Sequence, residues 1–204
     1  MYFQSSEPVH SSSDDDVLWD AYLGGDNRAL GFLAERYYST LERYGLKFMV
    51  DETVVDDCIQ DVLLELWQNR HKISQTPSVK FYLLKSVRNS IIEYLRYQKR
   101  FISEESLHWD TALPDYFNAE SLLIEQETLQ HLIAQVNAQM AELPKREREA
   151  LYLRYFENLS VAEISEIMEV NKQSVSNFLQ KALNKLKTKW LVTMVLHLFF
   201  NFLQ

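Results

Sequence analysis

The sequence feature that most constrains the fold is the scarcity of glycine and proline, which number only four each among 204 residues. A turn-rich all-β fold uses many such residues, so their scarcity favours long, uninterrupted helices. Hydrophobic residues make up 47% and charged residues 25%, the balance of a chain that can bury a core. This length suits one large domain or two small ones, and the chain is predicted to be all-α.

Charge is divided unevenly along the chain. The net charge of -8 argues against nucleic-acid binding, since domains that bind nucleic acid are usually basic. Residues 14–100 nevertheless carry a net charge of only -2, residues 101–142 hold eight acids and no base, and residues 143–204 carry +3. Because a charge discontinuity of this kind marks a domain boundary, we expect two small helical domains joined by an acidic linker.

The two ends of the chain lie outside these domains. Residues 1–13 are predicted to be disordered, and residues 1–6 resemble the remnant of a cleavable purification tag. No basic stretch followed by an apolar run is present, so we expect a cytoplasmic protein. Residues 190–204 contain 11 apolar side chains among 15, and as a helix would span about 22 Å, less than the ~30 Å of a membrane core. Packing on the protein's own core or in an oligomer, partner binding and attachment to a membrane surface remain open for this tail.

Four helices are predicted over residues 14–100. Asp14–Asp16 precede a helix over Val17–Leu23, and Asp26 is placed to cap a helix over residues 27–49. Asp51 is placed to cap a third helix that runs to about residue 70, and Ser78 a fourth that runs to about residue 100. In the third helix Asp57, Gln60, Asp61 and Leu64 share one face by their spacing, and Trp67 is nearby. A simple solvated face and a docking surface both fit that pattern.

The fourth helix carries bases and tyrosines. Lys85, Arg88, Arg96 and Lys99 fall on a stripe away from the core-facing leucines, and Tyr82, Tyr94 and Tyr97 are interleaved with them. Basic side chains neutralise phosphates and aromatic rings stack on unpaired nucleobases, so the combination suits melted DNA. A basic solvated face with tyrosines at the core edge is the alternative.

The stretch over residues 160–190 predicts a helix-turn-helix. Ser160 and Glu163 have the spacing of a capping box, Glu169-Val170 make a short turn, and Asn171 can cap a last helix. On that helix an exposed face of amides, hydroxyls and a lysine has the donors and acceptors to contact base edges in the major groove. A plain helical hairpin is the alternative.

Two separated segments then carry a family resemblance. The first consists of residues 54–70, VVDDCIQDVLLELWQNR, and residues 79–100, VKFYLLKSVRNSIIEYLRYQKR. The second consists of residues 143–187, LPKREREALYLRYFENLSVAEISEIMEVNKQSVSNFLQKALNKLK. The chain resembles the extracytoplasmic-function (ECF) sigma factors of bacterial RNA polymerase, of the sigma-70 family. The resemblance implies a region 2 domain over 14–100, a linker over 101–118, a region 4 domain over 119–190 and an apolar tail over 191–204.

What the resemblance implies is a promoter-specificity subunit, not an enzyme, that binds core polymerase, recognises the minus-35 and minus-10 elements and promotes melting. Residues implied to bind the polymerase clamp helices of the β′ subunit are Asp57, Gln60, Asp61, Leu64 and Trp67. The loop Gln68–Thr76 is implied to capture a base flipped from the minus-10 element. The residues implied to bind that element are Asn69, Arg70, His71, Lys72, Lys85, Arg88, Asn89, Arg96, Lys99 and Arg100. Those implied to bind the minus-35 element are Lys172, Gln173, Ser174, Ser176, Asn177, Gln180 and Lys181.

The implied partners are the polymerase core, including its β flap, promoter DNA and an anti-sigma factor. The tail is similar to those of some such factors whose anti-sigma partner is membrane-bound. No cofactor or metal is expected, because Cys58 is the single cysteine and the five histidines are scattered. The chain departs from the family pattern in its few recognition-helix bases and in Glu169, where glycine is frequent. The rival interpretation is a stand-alone helix-turn-helix regulator that binds duplex DNA as a dimer.

Overall fold

A computed structural model describes the backbone of residues 12–101 and 138–202, with the side chains of 14–98 and 138–187. Disorder is predicted over residues 1–13, but Ser12 and Ser13 belong to the first helix, and residues 1–11 lie outside the described residues. Most of the predicted linker and residues 119–137 of the helix predicted over 119–141 also lie outside them. So do the side chains of Lys99 and Arg100 and those of the apolar tail. Within the described ranges the regular elements are helices alone, which confirms the all-α fold class.

The chain separates into two compact units, Met1–Thr111 and Ala112–Gln204. The helices of the first unit are α1 (Ser12–Leu23), α2 (Asn27–Gly45), α3 (Glu52–Asn69) and α4 (Val79–Phe101), with a 3-10 turn over Arg70–Lys72. Those of the second unit are α5 (Lys145–Tyr155), α6 (Val161–Ile167) and α7 (Lys172–Phe202).

Short polar side chains start the helices of the first unit. Asp26 accepts a hydrogen bond from the Arg28 amide at 3.0 Å, and Asp51 accepts one from the Thr53 amide at 3.1 Å. The hydroxyl of Ser78 accepts from the Phe81 amide at 3.2 Å. These predicted caps are confirmed, because each side chain satisfies an amide that has no partner within its helix.

Two helix boundaries differ from the prediction. The first helix begins at Ser12 rather than Val17, so Asp14 and Asp15 lie in its first turn, where carboxylates interact favourably with the helix dipole. The second ends at Gly45 instead of continuing to residue 49. Its last turn is closed by the Leu46 amide, which donates to the Glu42 carbonyl at 2.9 Å.

The core of the first unit depends on a close approach at Gly45. A β-carbon there would lie 2.5 Å from Cγ1 of Val55 and 3.1 Å from Cδ1 of Ile91, so only glycine lets α2 pack this closely on α3 and α4. The buried side chains of this core come from all three helices and include Leu33, Leu41, Tyr44, Ile59, Leu84 and Val87.

The second unit is built around the helix-turn-helix. Met140, Leu143, Leu151 and Ala182 form a buried cluster, against which Leu179 and Leu186 pack. The α7 backbone continues to Phe202, past the predicted end near Trp190, so residues 191–202 extend this helix. Among the described parts of the chain, no helix is both long and apolar enough to cross a membrane.

Candidate nucleic-acid interface

One face of α3 remains open to solvent, and we call it the docking face. It consists of Asp57, Gln60, Asp61, Leu64 and Trp67, which are all exposed. Leu64 is 52% exposed and Trp67 is 42% exposed, while the opposite stripe of Val55, Ile59, Val62 and Leu66 is buried. The docking face therefore combines acids with two large apolar side chains that the unit itself does not cover.

The segment after α3 forms a short loop that we call the capture loop, residues 70–77. It starts with the 3-10 turn, in which His71 and Lys72 are exposed and Arg70 is half-buried. The Lys72 ammonium donates to Oδ1 of Asn69 at 3.3 Å. The Arg70 guanidinium lies beside the turn between α1 and α2, where a β-carbon on Gly25 would make an ordinary contact at 3.7 Å from Nη1. The φ of 105° is what favours glycine at this position.

Side chains of α1 hold the capture loop and the end of α3. The Trp19 indole donates from Nε1 to the Ser74 carbonyl at 3.4 Å, and the Tyr22 hydroxyl donates to the Leu66 carbonyl at 2.6 Å. Burial raises the pKa of Tyr22 to about 12, so the hydroxyl remains a donor throughout the physiological range. The Gln75 side chain donates to Asp20. Sequence reasoning missed these α1 residues, because no local pattern pairs side chains 44 to 55 positions apart.

The base-carrying side of α4 is only partly as expected. Asn89 and Arg96 are exposed, and Lys85 is half-buried with its ammonium 5.5 Å from the centroid of the Phe81 ring. Arg88 is instead 4% exposed, with its guanidinium 6.0 Å from the centroid of the Phe48 ring. The expectation that Arg88 lies on a solvated basic stripe is therefore corrected.

The burial of Arg88 follows from the helix period. It is four residues from Leu84 and three from Ile91, both fully buried, so it lies at the flank of the core stripe. A long side chain at such a position packs its stem against apolar neighbours and its guanidinium over an aromatic ring.

The interleaved tyrosines of α4 have different environments. Tyr82 is half-buried with its ring 5.2 Å from that of Trp19, and the Tyr94 hydroxyl accepts from the Gln98 side chain at 2.8 Å. Tyr97 is 59% exposed. Of the three tyrosine rings, Tyr97 therefore offers the most open face for a base to stack on.

The exposed side of α7 is almost entirely polar. Lys172, Gln173, Ser176, Asn177, Gln180 and Lys181 are exposed and Ser174 is half-buried, while Val175 and Ala182 are fully buried. The predicted cap is confirmed, because Asn171 accepts from the Ser174 amide at 2.7 Å. The side-chain Nε2 of Gln173 donates to Oδ1 of Asn177 at 3.1 Å. This bond links two side chains, one turn apart, that can contact base edges.

The turn before α7 is tightly held. Glu169 has a φ of 54°, the left-handed conformation that favours glycine. Nη1 of Arg146 donates to the Met168 carbonyl at 3.2 Å, and Lys185 pairs with the buried carboxylate of Glu147 at 2.8 Å. The predicted capping box is present, with the Glu163 amide donating to the Ser160 hydroxyl at 3.2 Å.

Comparison with known proteins agrees with this arrangement. The family model for Sigma-70 region 2 matches residues 33–101 and that for Sigma-70 region 4 matches residues 133–186. RNA polymerase sigma factor SigZ of Bacillus subtilis is 26% identical over 157 residues, which cover 76% of this chain and 83% of SigZ. ECF RNA polymerase sigma factor SigM of the same organism is 26% identical over 153 residues, which cover 75% of this chain and 90% of SigM.

A solved structure has a similar fold. It is the sigma factor RpoE in complex with the anti-sigma factor NepR from Bartonella quintana, with a TM-score of 0.59, 16% identity and coverage of 78% of this chain and 94% of that chain. The matches to both Sigma-70 regions and to two sigma factors identify a promoter-specificity subunit of RNA polymerase, not an enzyme. The chain belongs to the sigma-70 family, and its relatives include a sigma factor of the ECF group. Among the described residues no cluster of metal-binding side chains occurs.

Proposed function

We propose that this sigma factor docks on the β′ clamp helices of core polymerase through the docking face of α3. The observation that carries the proposal is the exposure of all five residues of that face, including Leu64 and Trp67. Large apolar side chains that a unit leaves open, surrounded by acids, favour a partner with a mixed apolar and basic surface. The second unit would contact the β flap.

The promoter contacts follow from the same unit. We propose that the capture loop, with Arg70, His71 and Lys72, receives a base flipped from the minus-10 element together with Asn69 at the end of α3. Lys85, Asn89 and Arg96 of α4, together with Lys99 and Arg100, then follow the melted strand. Arg88 would contribute by supporting that surface from the core side, because its guanidinium lies over Phe48.

The minus-35 element is assigned to α7 of the second unit. Its polar residues can hydrogen-bond with base edges from the major groove, with three side-chain amides and two serines as donors and acceptors. They are Lys172, Gln173, Ser174, Ser176, Asn177, Gln180 and Lys181. Lysine side chains supply the phosphate neutralisation. Because α7 has so few basic side chains, this unit alone is expected to bind DNA weakly.

Run-off transcription tests the proposal. Core polymerase is incubated with the full chain and a library of genomic promoter fragments, and the transcripts are sequenced. We expect transcripts that share upstream minus-35 and minus-10 elements and that disappear when the chain is omitted. Co-elution with core polymerase in gel filtration separates this function from that of a stand-alone regulator, and a chain that binds duplex DNA as a dimer without ever binding core would contradict it.

We also propose that the protein works in the cytoplasm and is held inactive by an anti-sigma factor, as the RpoE relative binds NepR. The apolar tail over 191–204 is a candidate segment for that partner, including a membrane-bound one. Cell fractionation tests the location. Truncation after Trp190 tests the tail, and unchanged stability together with unchanged anti-sigma binding would contradict a role for it.

A further inference from the structure

The first helix, α1, holds the capture loop through specific side-chain contacts. Trp19 and Tyr22 are each only 1% exposed, and their rings lie 5.1 Å apart. The Trp19 ring also contacts Tyr82 of α4 at 5.2 Å between centroids. The aromatic pair therefore fills the space between α1 and the segment that runs from the end of α3 to the start of α4.

The polar atoms of Trp19, Asp20 and Tyr22 bind that segment at two places. The Tyr22 hydroxyl satisfies the Leu66 carbonyl in the last turn of α3 at 2.6 Å, a position where carbonyls begin to lack helical partners. The Trp19 indole satisfies the Ser74 carbonyl at 3.4 Å, beyond the 3-10 turn. Asp20 accepts from the Gln75 side chain next to it.

These contacts matter energetically because they fix the part of the loop that follows the 3-10 turn, where Ser74 and Gln75 are exposed. Most of its residues are exposed, including His71, Lys72, Ser74 and Gln75. Fixing a backbone residue costs about 1–2 kcal/mol in conformational entropy. A loop already fixed in the free protein avoids that cost when it binds a base, which is the advantage of preorganisation.

We propose that α1 is the scaffold that preorganises the capture loop, with Trp19, Asp20 and Tyr22 as positioning residues for base capture. This inference rests on the proposed minus-10 function of the loop. None of the three residues needs to touch DNA. They act through the backbone of Ser74 and Leu66 and through the side chain of Gln75.

Asp20 provides the cleanest test, since its side chain is exposed and its loss leaves the aromatic core intact. Asp20→Ala is compared with Asp16→Ala, a matched control on the same face of α1 one turn earlier. Each full-length variant is assembled with core polymerase. Binding is measured by fluorescence anisotropy to a single-stranded minus-10 oligonucleotide taken from a promoter found by run-off transcription.

The decisive comparison uses oligonucleotides with an abasic site at each minus-10 position in turn. On the intact strand Asp20→Ala should bind about three- to tenfold more weakly than wild type, the range expected for one hydrogen bond. At the position whose base enters the loop, the abasic strand should bind wild type and Asp20→Ala equally. Asp16→Ala should match wild type on every strand, and all three proteins should bind core polymerase with the same affinity.

Two outcomes would overturn the inference. One is an Asp20→Ala holoenzyme that matches Asp16→Ala on the intact strand. The other is an Asp20→Ala deficit of the same size on all abasic strands, which would indicate a general structural effect. If wild type drives no run-off transcription, the proposed function fails and this inference fails with it, whereas transcription by wild type with either outcome above refutes the inference alone.

Discussion

Replacing Trp67 by alanine should weaken core-polymerase binding while the protein stays folded. The side chain is 42% exposed, and a fully exposed tryptophan presents about 250 Å². About 100 Å² is therefore left for a partner to cover. At about 25 cal/mol per Å² of apolar area, this corresponds to about 2.5 kcal/mol, or about a 60-fold change in Kd.

The assay is competition between unlabelled variants and fluorescently labelled wild type for core polymerase at fixed salt. Phe32→Ala is the matched control, because Phe32 is 56% exposed on α2 of the same unit but lies outside the docking face. Thermal unfolding of each variant is recorded first, so that loss of binding is compared between proteins of known stability. A Trp67→Ala protein that binds core within threefold of wild type would refute the assignment of the docking face.

Three further predictions concern stability. Tyr22→Phe should lower the free energy of unfolding by about 1–2 kcal/mol by leaving the Leu66 carbonyl unpaired, as measured by urea denaturation. Because the folded pKa of Tyr22 is about 12 and an unfolded tyrosine titrates near 10, wild type should lose stability as pH rises from about 10 to 12, and the variant should lose less. Glu169→Gly should raise the unfolding midpoint of the second unit, because a left-handed φ of 54° costs a non-glycine residue about 1–2 kcal/mol, only part of which glycine's extra unfolded freedom offsets; a lower midpoint would contradict this. Gly45→Ala should destabilise the first unit by about 1–3 kcal/mol in thermal unfolding, since its β-carbon would lie 2.5 Å from a Val55 methyl, and an unchanged midpoint would show that the helices can separate freely.

Features that depend on neighbours in sequence were predictable. Asp26, Asp51, Ser78 and Asn171 each cap the helix that follows, and Ser160 with Glu163 forms the expected box. A cap is made between residues two or three apart, so its pattern is complete within a few letters of sequence. The exposure of the docking face was also predictable, because a period of 3.6 separates it from the buried stripe of the same helix.

Features that depend on tertiary contacts were not predictable in the same way. The period places Arg88 at the edge of a stripe. Whether an edge residue is buried depends on what packs beside it, here Phe48 in the turn after α2. The bonds from Trp19 and Tyr22 to carbonyls far along the chain leave no periodic trace. Aromatic residues with a polar atom are nevertheless informative, since a buried indole or phenol needs a hydrogen-bond partner.

The distribution of binding groups explains why an acidic chain can act on DNA. Among the described residues of α7, the exposed lysines are Lys172, Lys181, Lys185 and Lys187, and Lys185 is paired with Glu147. Because it makes few contacts to phosphates, each unit is expected to bind DNA weakly by itself. In the proposed function, joining two weak DNA-binding units in one chain makes the second contact intramolecular. Its effective concentration then multiplies its own affinity in the overall binding. Core polymerase that holds both units at the promoter would supply that concentration, and the free protein would remain a poor DNA binder, as its net charge of -8 favours.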